Sequence, residues 1–129
     1  MIAIDASAVV ALLVDEAELG SASRHQYSLH DLAAPELLHF EVSSALRRLC
    51  HRKRLSPRLA EHALHDLELL RISTIPYSDI GQRMWELRDN LSAHDASYVA
   101  VAEFLEVELL TFDGRIRRAP GARCSFVEN

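Results

Sequence analysis

The chain begins Met-Ile-Ala-Ile-Asp-Ala-Ser, and no other stretch narrows its fold so far. Ile2 to Ile4 is too short and too branched for anything but a strand, and it runs straight into a carboxylate. Ser7 is placed to N-cap a helix that carries Val9, Leu12 and Leu13 inward. Asp5 then falls at the C-terminal end of a buried strand, facing the mouth of the next helix. In open α/β sheets that edge is where ligands bind. The plainer use of Asp5 is to cap the helix or tighten the turn.

The rest of the chain alternates in the same way. Asp15-Glu16-Ala17-Glu18 opens a second helical piece reaching toward Ser28. Asp31 to Pro35 reads as a short strand ended by proline. Glu36 to about Lys53 reads as a helix with Leu38, Val42, Ala45, Leu46 and Leu49 on one apolar stripe. Ser56-Pro57 starts another helix, proline at its favoured first position, with Leu59, Ala63, Leu67 and Leu70 inward. Ile72 to Ile75 is a third strand closed by Pro76. Ser78 caps a helix bearing Ile80, Met84, Leu87 and Leu91. A helix from His94 to about Glu106 precedes a fourth strand, Glu108 to Phe112, and a weak strand follows at Cys124 to Val127. Strands separated by helices, with few hairpin signals, predict an α/β fold with a parallel central sheet of four to five strands flanked by helices.

A chain of 129 residues has room for one core, so residues 1–129 form one domain. Cys50 and Cys124 lie far apart and read as thiols of a cytoplasmic protein, not as a disulfide framework. The N-terminus has no signal-peptide pattern, and no apolar run approaches the roughly 20 residues of a membrane helix. A net charge of −5 argues against unspecific nucleic-acid binding through the whole surface, while leaving room for a local basic strip.

Four acids stand out. Asp113 closes the fourth strand as Asp5 closes the first, although Asp113-Gly114 also suits a simple turn. Glu41 lies on the flank of its helix's buried stripe, where a carboxylate is costly unless paired; at the border of that stripe it is merely solvated. Asp95 opens a helix that is apolar nearly all round, where its ordinary use is to face the helix dipole. Parallel strands deliver all these ends to one edge. Carboxylates gathered there repel by about 4 kcal/mol per close pair at an effective dielectric of 20. A cation or protonation relieves that, and all-oxygen ligands favour Mg²⁺ or Mn²⁺ over zinc. A carboxylate-held Mg²⁺ that keeps its waters suits phosphodiester hydrolysis.

The motifs Ile4-Asp5-Ala6-Ser7, Phe40-Glu41-Val42-Ser43-Ser44-Ala45-Leu46, His94-Asp95-Ala96-Ser97-Tyr98 and Leu109-Leu110-Thr111-Phe112-Asp113-Gly114-Arg115 together resemble the PIN domain. Within it the chain is similar to the VapC-type toxin ribonucleases of prokaryotic toxin–antitoxin pairs, over essentially its whole length. The resemblance implies a Mg²⁺- or Mn²⁺-dependent endoribonuclease whose metal site is Asp5, Glu41, Asp95 and Asp113. Ser7 and Thr111 would supply hydroxyls that orient carboxylates or a bound water. It also implies an RNA substrate, a VapB-like antitoxin that inserts a cationic side chain among the acids, and a homodimer. His94 departs from the aromatic residue such toxins often carry. The rival functions are a PIN nuclease of RNA processing without an antitoxin, and a silent PIN-like module that only binds RNA or protein.

Other patterns carry less. Asp5-Ala6-Ser7 lacks the second aspartate of haloacid-dehalogenase-type phosphatases, and no glycine-rich phosphate loop exists. His62 and His65 share a helix face without a third ligand and read as surface residues. Two basic clusters remain. Arg47, Arg48, His51, Arg52, Lys53 and Arg54 suit a helix C-terminus. Arg115, Arg117 and Arg118 follow Asp113 and are placed either to touch RNA phosphates or to form a solvated turn. In the metal-free protein, mutual repulsion is expected to raise the pKa of at least one of the four acids. The helix from His94 to Leu105, apolar on more than one face, is expected to offer a surface to a second copy, unless its own domain buries it.

Overall fold

The apolar, mostly β-branched run at the N-terminus forms strand β1 (Ile2–Ile4), and the sheet is built around it. The computed structural model describes residues 1–14 and 30–128. Strand β2 (Leu32–Pro35) and strand β4 (Leu109–Leu110) flank β1, and β3 (Ile72–Ile75) lies beyond β2, giving the order β3-β2-β1-β4. Every pairing is parallel. Leu109 also bridges to Phe126, its N–H donating to Ser125 O at 2.9 Å and its carbonyl accepting from Val127 N–H at 3.0 Å. The weak strand expected at Cys124–Val127 is thus one bridge that extends the sheet past β4. The all-parallel sheet of four to five strands is borne out.

Six helices accompany it among the described residues: α1 (Ala6–Val14), α2 (Leu38–His51), α3 (Pro57–Leu69), α4 (Tyr77–Glu86), α5 (Ala93–Leu105) and α6 (Gly114–Arg118). The helical piece expected from Asp15 to Ser28 lies outside the described residues. Helices α1, α2 and α3 pack on one another, while α5 packs on α4 and on strands β1, β2 and β4. The α2 stripe is as expected, with Leu38, Val42 and Leu46 buried and Ala45 and Leu49 half-buried. No described helix is long and apolar enough to cross a membrane.

Several details differ from expectation. Helix α2 begins at Leu38 and not Glu36, and α4 begins at Tyr77 after Pro76, so Ser78 lies inside the first turn and caps nothing. Helix α4 ends at Glu86, and Leu87 and Leu91 are buried from the turn beyond it. In α3, Ser56 caps through its hydroxyl as Pro57 suggested, but Leu59 is exposed and Ala60 takes the inward place with Ala63 and Leu67. The face through Ala63 and Leu67 admits either residue in the first turn. Helix α5 follows the alternative in which its own domain buries most of it. Ala96 to Ala102 are all buried by the chain's own elements, because the helix meets strands on one side and α4 on the other. Much of the apolar surplus on this helix is thus taken up within the domain, while Phe104 near its C-terminal end stays exposed.

Candidate active site

Ile4 pairs with Leu110, so the next residues along, Asp5 and Thr111, meet at the C-terminal edge of the sheet. Asp5 N–H donates to Leu110 O at 3.2 Å and its carboxylate is 3% exposed. One oxygen, Oδ1, accepts from Ser7 Oγ at 2.7 Å and from Ala8 N–H at 2.9 Å; the other, Oδ2, accepts from the Thr111 hydroxyl. Asp5 is therefore the cap of α1, and the expectation that Ser7 plays that part is corrected. The helix starts at Ala6, two residues earlier than read, which puts Ser7 in its first turn. Ser7 Oγ instead accepts from Phe112 N–H at 3.1 Å, and Thr111 Oγ1 accepts from Asp113 N–H at 2.9 Å. Both hydroxyls point their protons at Asp5 and tie the end of β4 to the start of α1. Burial pushes the Asp5 carboxyl above its ordinary range. The bonds from Thr111, Ala8 and Ser7 oppose this, and the Asp113 charge adds to it. The expected rise is present for Asp5, but burial leads and repulsion follows.

Glu41 reaches the same edge from the first turn of α2. Its Oε1 accepts from Tyr98 Oη at 2.5 Å, and its Oε2 lies 3.7 Å from His94 Nδ1. Tyr98 is buried on α5, and its hydroxyl is held far above the usual phenol range. Burial is the main cause, then the bond to Glu41, then the charges of Glu41, Asp5 and Asp95. One phenol thus senses three of the four acids. Sequence patterning missed Tyr98 because it occupies an apolar position of α5; the available signal was that a buried tyrosine hydroxyl needs a partner. Asp95 lies in the first turn of α5, its N–H bonded to Ser92 Oγ at 3.1 Å. Among the described residues no hydrogen bond reaches its carboxylate.

Asp113 caps α6 and is gripped by Arg115. Its Oδ1 accepts from Arg115 N–H at 2.9 Å and Nε at 3.2 Å, and Oδ2 from the guanidinium at 2.8 Å. Arg115 accordingly holds the Asp113 carboxyl below its usual range. Arg117 donates to Val127 O at 3.1 Å and lies over the Phe126 ring, while the Arg118 guanidinium packs where a Cβ on Gly114 would stand. Arg115 and Arg117 thus have intramolecular partners. His62 and His65 are exposed on α3, as read.

The edge therefore carries Asp5, Glu41, Asp95 and Asp113 with Ser7 and Thr111. As the side chains stand, no three His, Cys, Asp or Glu groups among the described residues converge on one point as metal ligands. The donor set still fits a hard divalent ion: it is all oxygen, it includes an Asp5 carboxylate whose charge burial disfavours, and Asp95 has no donor of its own.

The PIN domain family profile matches residues 2–122. Ribonuclease VapC9 of Mycobacterium tuberculosis is 39% identical over 124 residues, 96% of this chain and 94% of that one. Ribonuclease VapC1 of the same species is 38% identical over 122 residues, 94% of this chain and 92% of its own. Among solved structures, PAE2754 from Pyrobaculum aerophilum superposes with a TM-score of 0.68 at 25% identity, covering 94% of this chain and 86% of that one. VapC20 of M. tuberculosis, a Sarcin-Ricin loop cleaving toxin, superposes with a TM-score of 0.70 over all of both chains; at 20% identity this is a likeness of fold.

Proposed function

The chain belongs to the PIN-domain family and, within it, to the VapC ribonucleases, and from that premise we propose that it is a Mg²⁺- or Mn²⁺-dependent endoribonuclease toxin restrained by a VapB-type antitoxin. One observation supports this above the others: Asp5 is buried at the sheet edge with two hydroxyls aimed at it, and Glu41 and Asp95 lie close enough to act on the same phenol. Capping α1 accounts for Asp5 alone; a surface that only bound RNA or protein would have no use for gathering Glu41, Asp95 and Asp113 at the same edge.

Asp5, Glu41, Asp95 and Asp113 would hold the ion, which when bound lowers the pKa of a coordinated water and neutralises charge building on the phosphate. The chain's own residues do the positioning. Ser7 and Thr111 fix both oxygens of Asp5, so its orientation is set before substrate arrives. Tyr98 restrains Glu41 from inside the core. Arg115 neutralises Asp113 at the rim, which keeps that acid from adding its full charge to the site. A cationic side chain of the antitoxin has the same acids to pair with as the ion does.

Cleavage of a labelled RNA should vanish with EDTA, return with Mg²⁺ or Mn²⁺, and fall by at least about a hundredfold in Asp5→Asn and Asp95→Asn. Mg²⁺ at a hundred times its Kd should stabilise the wild type by about 2.7 kcal/mol in a thermal melt and leave Asp5→Asn unmoved. Full metal-dependent cleavage by Asp95→Asn would remove that residue from the site. Metal-independent cleavage by the wild type would end the reading.

A further inference from the structure

A groove of about 580 Å³ opens between α1 and α2, with Ser7 and Glu41 in its wall and Arg48, Arg52 and Arg54 lining it as well. Glu41, Arg48 and Arg52 follow one face of α2 at i, i+7 and i+11. At 1.5 Å per residue the two arginines stand about 10 Å and 16 Å along the axis from the acid. The floor between them is apolar, with Val10, Leu49 and Leu55.

Charge pattern alone assigns these arginines to the helix C-terminus, but the structure relieves them of that work. Helix α2 is closed by its own backbone: Arg54 N–H donates to Leu49 O at 2.9 Å and Lys53 N–H to Cys50 O at 3.0 Å, with Lys53 in the left-handed region at φ 57°. Those bonds satisfy the last carbonyls as a Schellman turn does and carry Arg54 and Leu55 back over the groove. Among the described residues no carboxylate pairs with the side chain of Arg48, Arg52 or Arg54. In the cluster after Asp113, by contrast, Arg115 is held by Asp113 and Arg117 by Val127 and Phe126.

We propose that this groove is the track of single-stranded RNA, with Arg48, Arg52 and Arg54 holding backbone phosphates that flank the scissile bond and the apolar floor receiving an unstacked nucleoside. This rests on the ribonuclease reading above and adds where the substrate lies. Unpaired cations at helical-turn intervals meet successive phosphates of an extended strand, and the track runs into Glu41 and Ser7. A volume of 580 Å³ is that of a small-ligand cleft, suited to a nucleotide. An acidic peptide complements the arginines too, but continuity with the acids favours the substrate.

The test uses full-length Asp5→Asn protein and a fluorescein-labelled single-stranded oligoribonucleotide, with anisotropy measured over a salt series. Adding Arg48→Ala, Arg52→Ala and Arg54→Ala should raise Kd at least about tenfold at low salt. It should also flatten the dependence of log K on log salt by about 2, at roughly 0.7 per lost phosphate contact. The Arg→Lys triple, which keeps the charge, should recover most of the affinity and shows that the sites tolerate change. A control triple, Arg58→Ala, Arg88→Ala and Arg123→Ala, should leave both quantities nearly unchanged. Equal losses in both alanine triples would overturn the track in favour of diffuse charge. Unchanged RNA affinity together with lost antitoxin binding would overturn it in favour of an acidic protein partner. Normal cleavage with an unaffected groove triple defeats the track alone, whereas a wild type that neither binds nor cleaves RNA defeats the ribonuclease reading with it.

Discussion

Thr111→Val removes one hydroxyl and almost no volume, and the hydroxyl is at the centre of the site. Thr111 is fully buried, donates to Asp5 Oδ2 and accepts from Asp113 N–H. Losing a bond to an ionised carboxylate costs about 1.5–3 kcal/mol, and stranding the Asp113 N–H adds about 1, so about 2.5–4 kcal/mol is expected at neutral pH. With Asp5 protonated the same bond joins neutral groups, and with the stranded N–H included the cost falls to about 1.5–2.5 kcal/mol. The sign follows from linkage. The folded pKa of Asp5 is raised, so its contribution to stability is fully present below the unfolded value and is lost as pH rises through the folded one. Valine removes the strongest of the opposing hydrogen bonds, so the folded pKa climbs further and the loss extends to higher pH. Urea unfolding without divalent ions, from about pH 4 to 8, should show the gap between wild type and variant widening with pH. A penalty that stays constant across that range, or remains below about 1 kcal/mol at neutral pH, would refute the role given to this hydroxyl.

Two further outcomes test the frame around the site. Arg83 forks onto Glu103 at 2.6 and 3.2 Å and donates to Gly121 O at 2.7 Å, so Arg83→Ala should cost about 2–4 kcal/mol by chemical denaturation. Burial opposes the Glu103 charge, but Arg83 and the Arg123 N–H outweigh it and lower its pKa; that stability is lost as pH falls through the folded pKa, so the wild-type advantage should shrink in acid below 4.5. Glu106 ends α5 in the left-handed region at φ 56°, with Val107 N–H bonded to Ala102 O at 3.0 Å; Glu106→Gly should stabilise by about 1 kcal/mol, read as a melting point higher by roughly 3–5 °C.

The positions of the strands along the chain and their parallel direction were legible because each apolar run is short and followed by a helical period. Their lengths were less so. Glu108 to Phe112 reads as five residues of strand, yet only Leu109 and Leu110 stay in the ladder. Asp113 N–H turns to the Thr111 side chain and Phe112 N–H to Ser7, so side-chain acceptors end the strand where patterning continues it. The same local competition explains Leu59 and Ala60, where two residues suit one inward position and the smaller takes it. Helix α5 shows a limit of another kind. A helix apolar all round can be buried by its own domain or by a partner, and only the placement of α4 and the strands decides between them.

At the site, sequence order marked the acids but not what each one touches. The two uses offered for Asp5, helix cap and ligand-edge acid, are one arrangement: Oδ1 caps α1 while Oδ2 faces Thr111 across the strand ends. Tyr98 stayed hidden because periodicity counts its ring and ignores its hydroxyl. For the arginines, charge in a sequence does not distinguish a cation held by an acid, as Arg115 is by Asp113, from one that no carboxylate holds among the described residues, such as Arg48. The pairing has a physical consequence. Three donors reach Asp5, yet burial still outweighs them and its carboxyl stays harder to ionise than in water. Asp113, nearer the solvent, is easier to ionise because Arg115 grips it. The chain thus spends its fixed cation on the rim acid and leaves the buried one with two hydroxyls and one backbone N–H. A charge held that way is stabilised further by a proton or by a cation from outside, and the proposed metal and the antitoxin's basic side chain would compete to supply it.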